Sequence, residues 1–233
     1  MNIFAMDTST LTASVAVMND QKLLGEFTAS NALTHSQTIM PMTDSLLSAL
    51  NMTLDDIDVF AVSVGPGSFT GLRIGMATVK TFAQVKQKPI IGVSSLRGVS
   101  ENFSYIDSSS YICPMFDARR GEVYNALYLH GNEVVSDRAL HIDDLLDSLL
   151  AKDVIFAGDA AILHRGKIEQ RGEKGWRIAE RQDILPRASS VAAYAARLAE
   201  KGEFGDPYSL RPQYLRKSQA ERELEEKQSN GQQ

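Results

Sequence analysis

Apolar positions in the first thirty residues recur at strand spacing. Ile3-Phe4-Ala5-Met6, Thr12-Ala13-Ser14-Val15-Ala16-Val17-Met18 and Lys22-Leu23-Leu24-Gly25-Glu26-Phe27 are strand-length and β-rich, and Asn19-Asp20 punctuates the last two. That pattern predicts a three-stranded antiparallel meander. From residue 36 to 50 the period lengthens to that of a helix, and Val59 to Val64 returns to a short buried strand. A second helix is expected over 69–86 and a further strand from Pro89 to Val93. The order β-β-β-α-β-α-β describes a mixed sheet with helices on its faces, an α/β fold.

A second, smaller unit starts near Tyr111. Tyr111 to Phe116 and Glu122 to Leu129 read as strands joined by Asp117-Ala118-Arg119-Arg120-Gly121. Helices are expected at about 143–150 and 160–169, with a strand at Val154-Ile155-Phe156-Ala157 between them. An Ala-rich amphipathic helix over 189–201 is expected to return to the first unit. The resulting division is one lobe of residues 1–108 plus about 188–216, a smaller lobe of 109–187, and a charged tail of 217–233. The tail has too few apolar residues to offset the entropy of ordering, so it is expected to be disordered.

Composition narrows the function. The chain has 233 residues, 43% hydrophobic and 23% charged, with net charge −5. A protein that grips tRNA unaided gathers Lys and Arg against several phosphates. No such cluster stands in this sequence, so strong tRNA binding by the chain alone is not expected. Apolar runs are strand-sized, which predicts no membrane span. The early acid Asp7 argues against a secretory leader, and the single cysteine, Cys113, suits a reducing cytoplasm and an inert core position.

The most informative stretch is Gly65-Pro66-Gly67-Ser68-Phe69-Thr70-Gly71-Leu72-Arg73-Ile74-Gly75, at a strand-to-helix junction where backbone amides can bind phosphate. It lacks the Gly-Lys-Ser/Thr of a P-loop. It also misses the Rossmann fingerprint, because Thr70 holds the third glycine position and no acid follows Ile90-Ile91-Gly92-Val93. The stretch does resemble the signature of the TsaB (YeaZ) family, two-lobed proteins of the actin-like ATPase superfamily. Asp7-Thr8-Ser9-Thr10, His35-Ser36-Gln37, Asp117 to Tyr124 and Tyr214-Leu215-Arg216 are similar to further family motifs, in the family's order.

The resemblance implies an accessory subunit in tRNA threonylcarbamoyladenosine synthesis rather than a catalyst. In the catalytic paralogue, TsaD, the strand after the glycine helix leads into a His-x-x-x-His metal pair, which a helix presents on one face. The matching positions here are Ser95 and Val99, so no metal, no catalytic residue and no cofactor are expected. His35, His130, His141 and His164 have no metal-ligand spacing. His35, Ser36 and Asp44 make no triad, because adjacent helical side chains point apart; Thr34 or Ser36 as a helix cap is the better reading. Asp7, Thr8 and Ser9 could hold a nucleotide phosphate or Mg²⁺, or form a plain turn closed by its own side chains.

Ile39, Met42, Leu46 and Ala49-Leu50 make one apolar row on the 36–50 helix, and Met40 with Leu47 another. The second row fits either a helix docked from outside or a deeply buried helix. Gly71 and Gly75, four apart, admit either a partner helix or close packing on the lobe's own sheet. The resemblance implies the partner reading, with an interface of Ile39, Met40, Met42, Thr43, Leu46, Leu47, Gly71, Leu72, Gly75, Met76 and Val79. The implied partners are TsaD, the ATPase subunit TsaE through the TsaD complex, and a second copy when TsaD is absent. A small actin-fold ATPase or kinase acting alone is the alternative.

Overall fold

The computed structural model describes residues 1–30, 33–106, 109–172 and 174–216. Strands β1 (Asn2–Asp7), β2 (Thr12–Asn19) and β3 (Lys22–Ser30) form the expected meander, followed by helix α1 (His35–Ala49), β4 (Val59–Gly65), α2 (Phe69–Lys86), β5 (Ile90–Ser94) and α3 (Ser95–Glu101). The first sheet has the order β3-β2-β1-β4-β5, with β1, β4 and β5 parallel to one another. Both faces are covered, so β1 reads as an unbroken apolar run. Phe4 and Met6 face α1 and α2 in one core, while Ile3 and Ala5 face helix α7 (Ala188–Glu200) in another. Phe4, Phe60 and Phe82 meet with ring centroids 6.0 to 6.1 Å apart at the centre of the first core.

The second sheet comprises β6 (Tyr111–Arg119), β7 (Glu122–Leu129), β8 (Asn132–His141), β9 (Val154–Ala157) and β10 (Trp176–Ile178), in the order β10-β9-β6-β7-β8. Helices α4 (Ile142–Ser148), α5 (Asp159–Leu163) and α6 (Arg165–Arg171) pack on one face. On the other face, Leu96, Val99 and Phe103 from and beside α3 meet Phe116, Ala126 and Tyr128. The stretch just after the glycine helix therefore joins the two sheets.

Among the described residues, four elements lie outside the sequence reading: a short 3-10 helix at Leu54–Asp56, α3, β8 and β10. In β8, Asn132 to Arg138 show little apolar alternation, and the strand exists because it closes a hairpin onto β7. The helix expected over 160–169 is two helices that meet at His164, which ends α5 and begins α6. Helix α1 starts one residue early, where Thr34 and Gln37 form a reciprocal capping box. Residues 217–233, read as a disordered tail, lie outside the described residues. Among the described residues no helix is long and apolar enough to cross a membrane.

Candidate functional site

Asp7 ends β1 and is buried. Both carboxylate oxygens are engaged by neighbours: Ser63 Oγ donates to Oδ2, while Ser9 donates to Oδ1 from its backbone N–H (2.9 Å) and its hydroxyl (2.8 Å). Burial pushes the Asp7 carboxyl above its ordinary pKa, and the hydrogen bonds from Ser63 and Ser9 oppose that shift. Thr8 Oγ1 donates to the Gly71 carbonyl at 2.8 Å, the Ser68 amide donates to Ser9 O at 2.7 Å, and His35 Nε2 lies 2.7 Å from Thr10 O. A Cβ on Gly71 would overlap Thr8 O, and one on Gly75 would overlap Thr8 Oγ1. The glycine helix is thus clamped directly onto the β1–β2 turn.

The opposite wall is built by the β6–β7 hairpin and α5. The Asp117 amide donates to Asp159 Oδ1 at 3.1 Å, and burial raises the Asp159 pKa. Beyond Asp117 the strand bulges, and Arg119 (φ 69°), Arg120 (φ 58°) and Gly121 (φ 78°) all adopt left-handed backbone. A cleft of about 560 Å³ lies between the two turns, lined among others by Leu11, Gly67, Asp117, Arg119, Asp159 and Tyr214. The chain's last described segment crosses both lobes beside it. Gln213 N donates to Val64 O at 2.7 Å, Tyr214 stacks on Phe69 at 4.6 Å, and Arg216 pairs with Glu122 at 2.6 Å. Arg73 lies 3.8 Å from the Phe69 ring centroid and donates to Tyr214 Oη at 2.9 Å.

The residues expected at a partner surface divide sharply. Ile39, Thr43, Leu46, Leu47, Gly71, Leu72, Gly75, Met76 and Val79 are buried within this chain, against its own sheet and turn. They are not surface groups, which corrects the expected interface. Periodicity placed Ile39, Leu46 and Leu47 on apolar rows and the resemblance supplied the others, and all are used internally; Gly71 and Gly75 pack closely on Thr8. Met42 is half-buried against the first core, and Met40 is 48% exposed. The outward row of α2 consists of the exposed Thr70, Arg73, Ala77, Thr81 and Val85, the last 71% exposed, with Ile74 half-buried against the first core beside it.

Ser95 and Val99 are buried: Ser95 Oγ accepts the Gly65 amide at 3.2 Å, and Val99 lies in the core between the sheets. His35 packs beside Gly71, and His141 Nδ1 accepts the Asp143 amide at the start of α4. Cys113 is buried, and burial pushes its thiol up to about 12. Sequence reasoning missed Ser63, the one polar residue in the run Val59 to Val64. It also missed the Arg73–Tyr214 contact, which joins residues 141 positions apart.

Two α/β lobes closing on a cleft define the actin-like ATPase fold. An activator of the 2-hydroxyisocaproyl-CoA dehydratase from Clostridium difficile shares it with a TM-score of 0.54 at 8% identity, over 87% of this chain and 97% of that chain. A family model described as "TsaD: tRNA N6-adenosine threonylcarbamoyltransferase" matches residues 22–224. The "tRNA threonylcarbamoyladenosine biosynthesis protein TsaB" of Bacillus subtilis is 37% identical over 228 residues, 95% of this chain and 96% of that protein. "YeaZ from Pseudomonas aeruginosa" superposes with a TM-score of 0.77 at 26% identity, over 92% of this chain and 99% of that chain. The chain belongs to the TsaB (YeaZ) family of tRNA threonylcarbamoyladenosine biosynthesis proteins.

Proposed function

We propose that the chain is a non-catalytic subunit that binds a TsaD-type transferase through the outer faces of α1 and α2 and holds it in its working form in the cytoplasm. TsaE joins through that complex, and a second copy takes the same surface when TsaD is absent. The observation that carries this reading is the outward face itself. Thr70, Arg73, Ala77, Thr81 and Val85 form an exposed row at helical spacing on α2, with Arg73 its one charge, and Met40, Pro41, Asp44, Ser45, Ser48 and Ala49 are exposed on α1. Small and flexible side chains with few charges suit helix-on-helix contact.

The second wall of support is the use made of the would-be active groups. Ser95 accepts the Gly65 amide, Val99 packs between the sheets, and the Asp7 carboxylate accepts three hydrogen bonds from Ser63 and Ser9. Asp7 is buried and does not line the cleft, which argues against a nucleotide enzyme acting alone through this turn.

The test is a double variant, Met40→Asp with Ala77→Asp, at exposed positions. Burying unpaired carboxylates at a protein contact costs about 2–5 kcal/mol, roughly thirtyfold or more in affinity. The expected result is an unchanged Tm with lost binding to the TsaD-type partner and to a second copy, measured by calorimetry and sedimentation. A folded variant that keeps both affinities places the contact elsewhere.

A further inference from the structure

The segment after α7 runs back along the first lobe before it reaches the second. The Gly205 amide donates to Ile90 O at 2.7 Å, Lys80 Nζ donates to Leu210 O at 2.9 Å, and Leu210 packs on the first core. Gln213 and Tyr214 then fix the segment beside β4 and α2, so closely that a Cβ on Gly65 would overlap Gln213 O. Two residues further on, Arg216 reaches the β6–β7 hairpin, where it donates to Ala118 O and pairs with Glu122. The Arg216 side chain is only 19% exposed. Glu122 Oε2 is buried and accepts no hydrogen bond among the described residues, so the guanidinium beside it offsets the burial of that charge. Ala118 and Arg216 both line the cleft.

We propose that residues 205–216 form a strap across the cleft mouth, and that Arg216 is its clasp, holding the two lobes at the angle seen here and limiting entry to the cleft. Two residues of backbone span about 7 Å at most, so a strap anchored at Tyr214 leaves Arg216 little slack. Seating Arg216 therefore fixes the hairpin close to the junction of β4 and α2. Once the clasp is released, Glu122 holds a buried charge without a partner. Moving the hairpin out to water relieves that charge and widens the cleft. Both groups regain solvent at the mouth, which keeps the tie reversible. A ligand that needs the wide cleft acts against the clasp, and one that needs the narrow cleft acts with it. The device lies apart from the α1–α2 surface and does not depend on it.

The test measures the distance across the cleft in the full chain by double electron–electron resonance. Nitroxides are placed on Leu11→Cys and Ile162→Cys, with the labelled protein diluted in unlabelled protein so that each pair is read within one copy. Both positions are exposed, one on each lobe, and Cys113 is buried. Arg216→Ala is expected to lengthen the mean distance by more than about 2 Å, the scale of a domain rearrangement. Glu122→Ala should move it the same way by less, since the bond to Ala118 stays, and it carries the test if Arg216→Ala fails to fold. The double variant should open no further than Arg216→Ala alone. Arg216→Lys, which keeps the charge, should fall between the parent and Arg216→Ala. A parent distance kept in both single variants would overturn the proposal. So would a double variant that opens by the sum of the two, because the residues would then act independently. A lower Tm with the distance unchanged would overturn it too, by reducing Arg216 to a stabilising contact.

Discussion

The two turns that face each other across the cleft are chemically opposite. On the first lobe, the Asp7–Thr10 turn is closed: its carboxylate, hydroxyls and carbonyls bond to Ser63, Gly71, Ser68 and His35. On the second lobe, the Asp117–Gly121 turn is open, with a left-handed backbone and arginines turned to solvent. Equivalent places in two similar lobes have thus been put to different uses. A turn whose hydrogen bonds are buried contributes strongly to folding, while a turn whose ion pair is exposed to solvent contributes little.

If that contrast is right, damage on the two sides should differ. The largest effect is expected from Gly71→Ala, because the added methyl meets the rigid Thr8 carbonyl rather than a flexible side chain. Overpacking of this kind costs about 3 kcal/mol, read from the urea midpoint at unchanged slope. A cost below about 1 kcal/mol would show that the clamp is loose.

Next comes Asp7→Ala, which strips the partner from three buried donors and is expected to cost about 2 kcal/mol. Asp7→Asn keeps an acceptor for Ser9 and offers a donor to Ser63 Oγ, so it should be far milder. Its effect should also depend on pH. The Asp7 pKa is raised above 3.8 in the folded chain, so the folded state holds the proton longer. Stability tied to this group is therefore greatest at low pH and lost as pH rises above about 4. The parent should lose Tm relative to Asp7→Asn over that rise; a difference constant with pH would mean the carboxylate is solvated.

The smallest effect is expected on the open side. Asp117→Ala gives up an acceptor for the Arg119 amide at 2.8 Å and an exposed ion pair. It should change stability by less than about 1 kcal/mol, since surface pairs contribute little. A loss as large as that of Asp7→Ala would erase the contrast between the turns.

The sequence pattern made much of this legible. The meander, the two long helices, the glycine stretch and the β6–β7 hairpin follow from local period and turn chemistry. What escaped it depends on information that local pattern lacks. Apolar periodicity showed that Leu46 and Leu47 lie on rows, but not that those rows meet the chain's own sheet. The glycines at 71 and 75 signalled close approach without naming Thr8 as the neighbour. Ser63 is a single polar residue in a buried strand, and its role appears only when β4 lies beside β1. Gly121 marked the β6–β7 turn, but the left-handed backbone of Arg119 and Arg120 follows only from the two-residue hairpin and the bulge beside it.

The central claim, an accessory subunit rather than a catalyst, is tested most directly by reconstitution. Purified TsaD-type transferase, TsaE-type ATPase, threonylcarbamoyl-adenylate and tRNA would be combined with and without this chain, and modified adenosine measured. The account predicts strong dependence on the chain, no product from the chain and substrates alone, and failure of rescue by the Met40→Asp, Ala77→Asp variant. Modified tRNA formed by this chain without the transferase would contradict it.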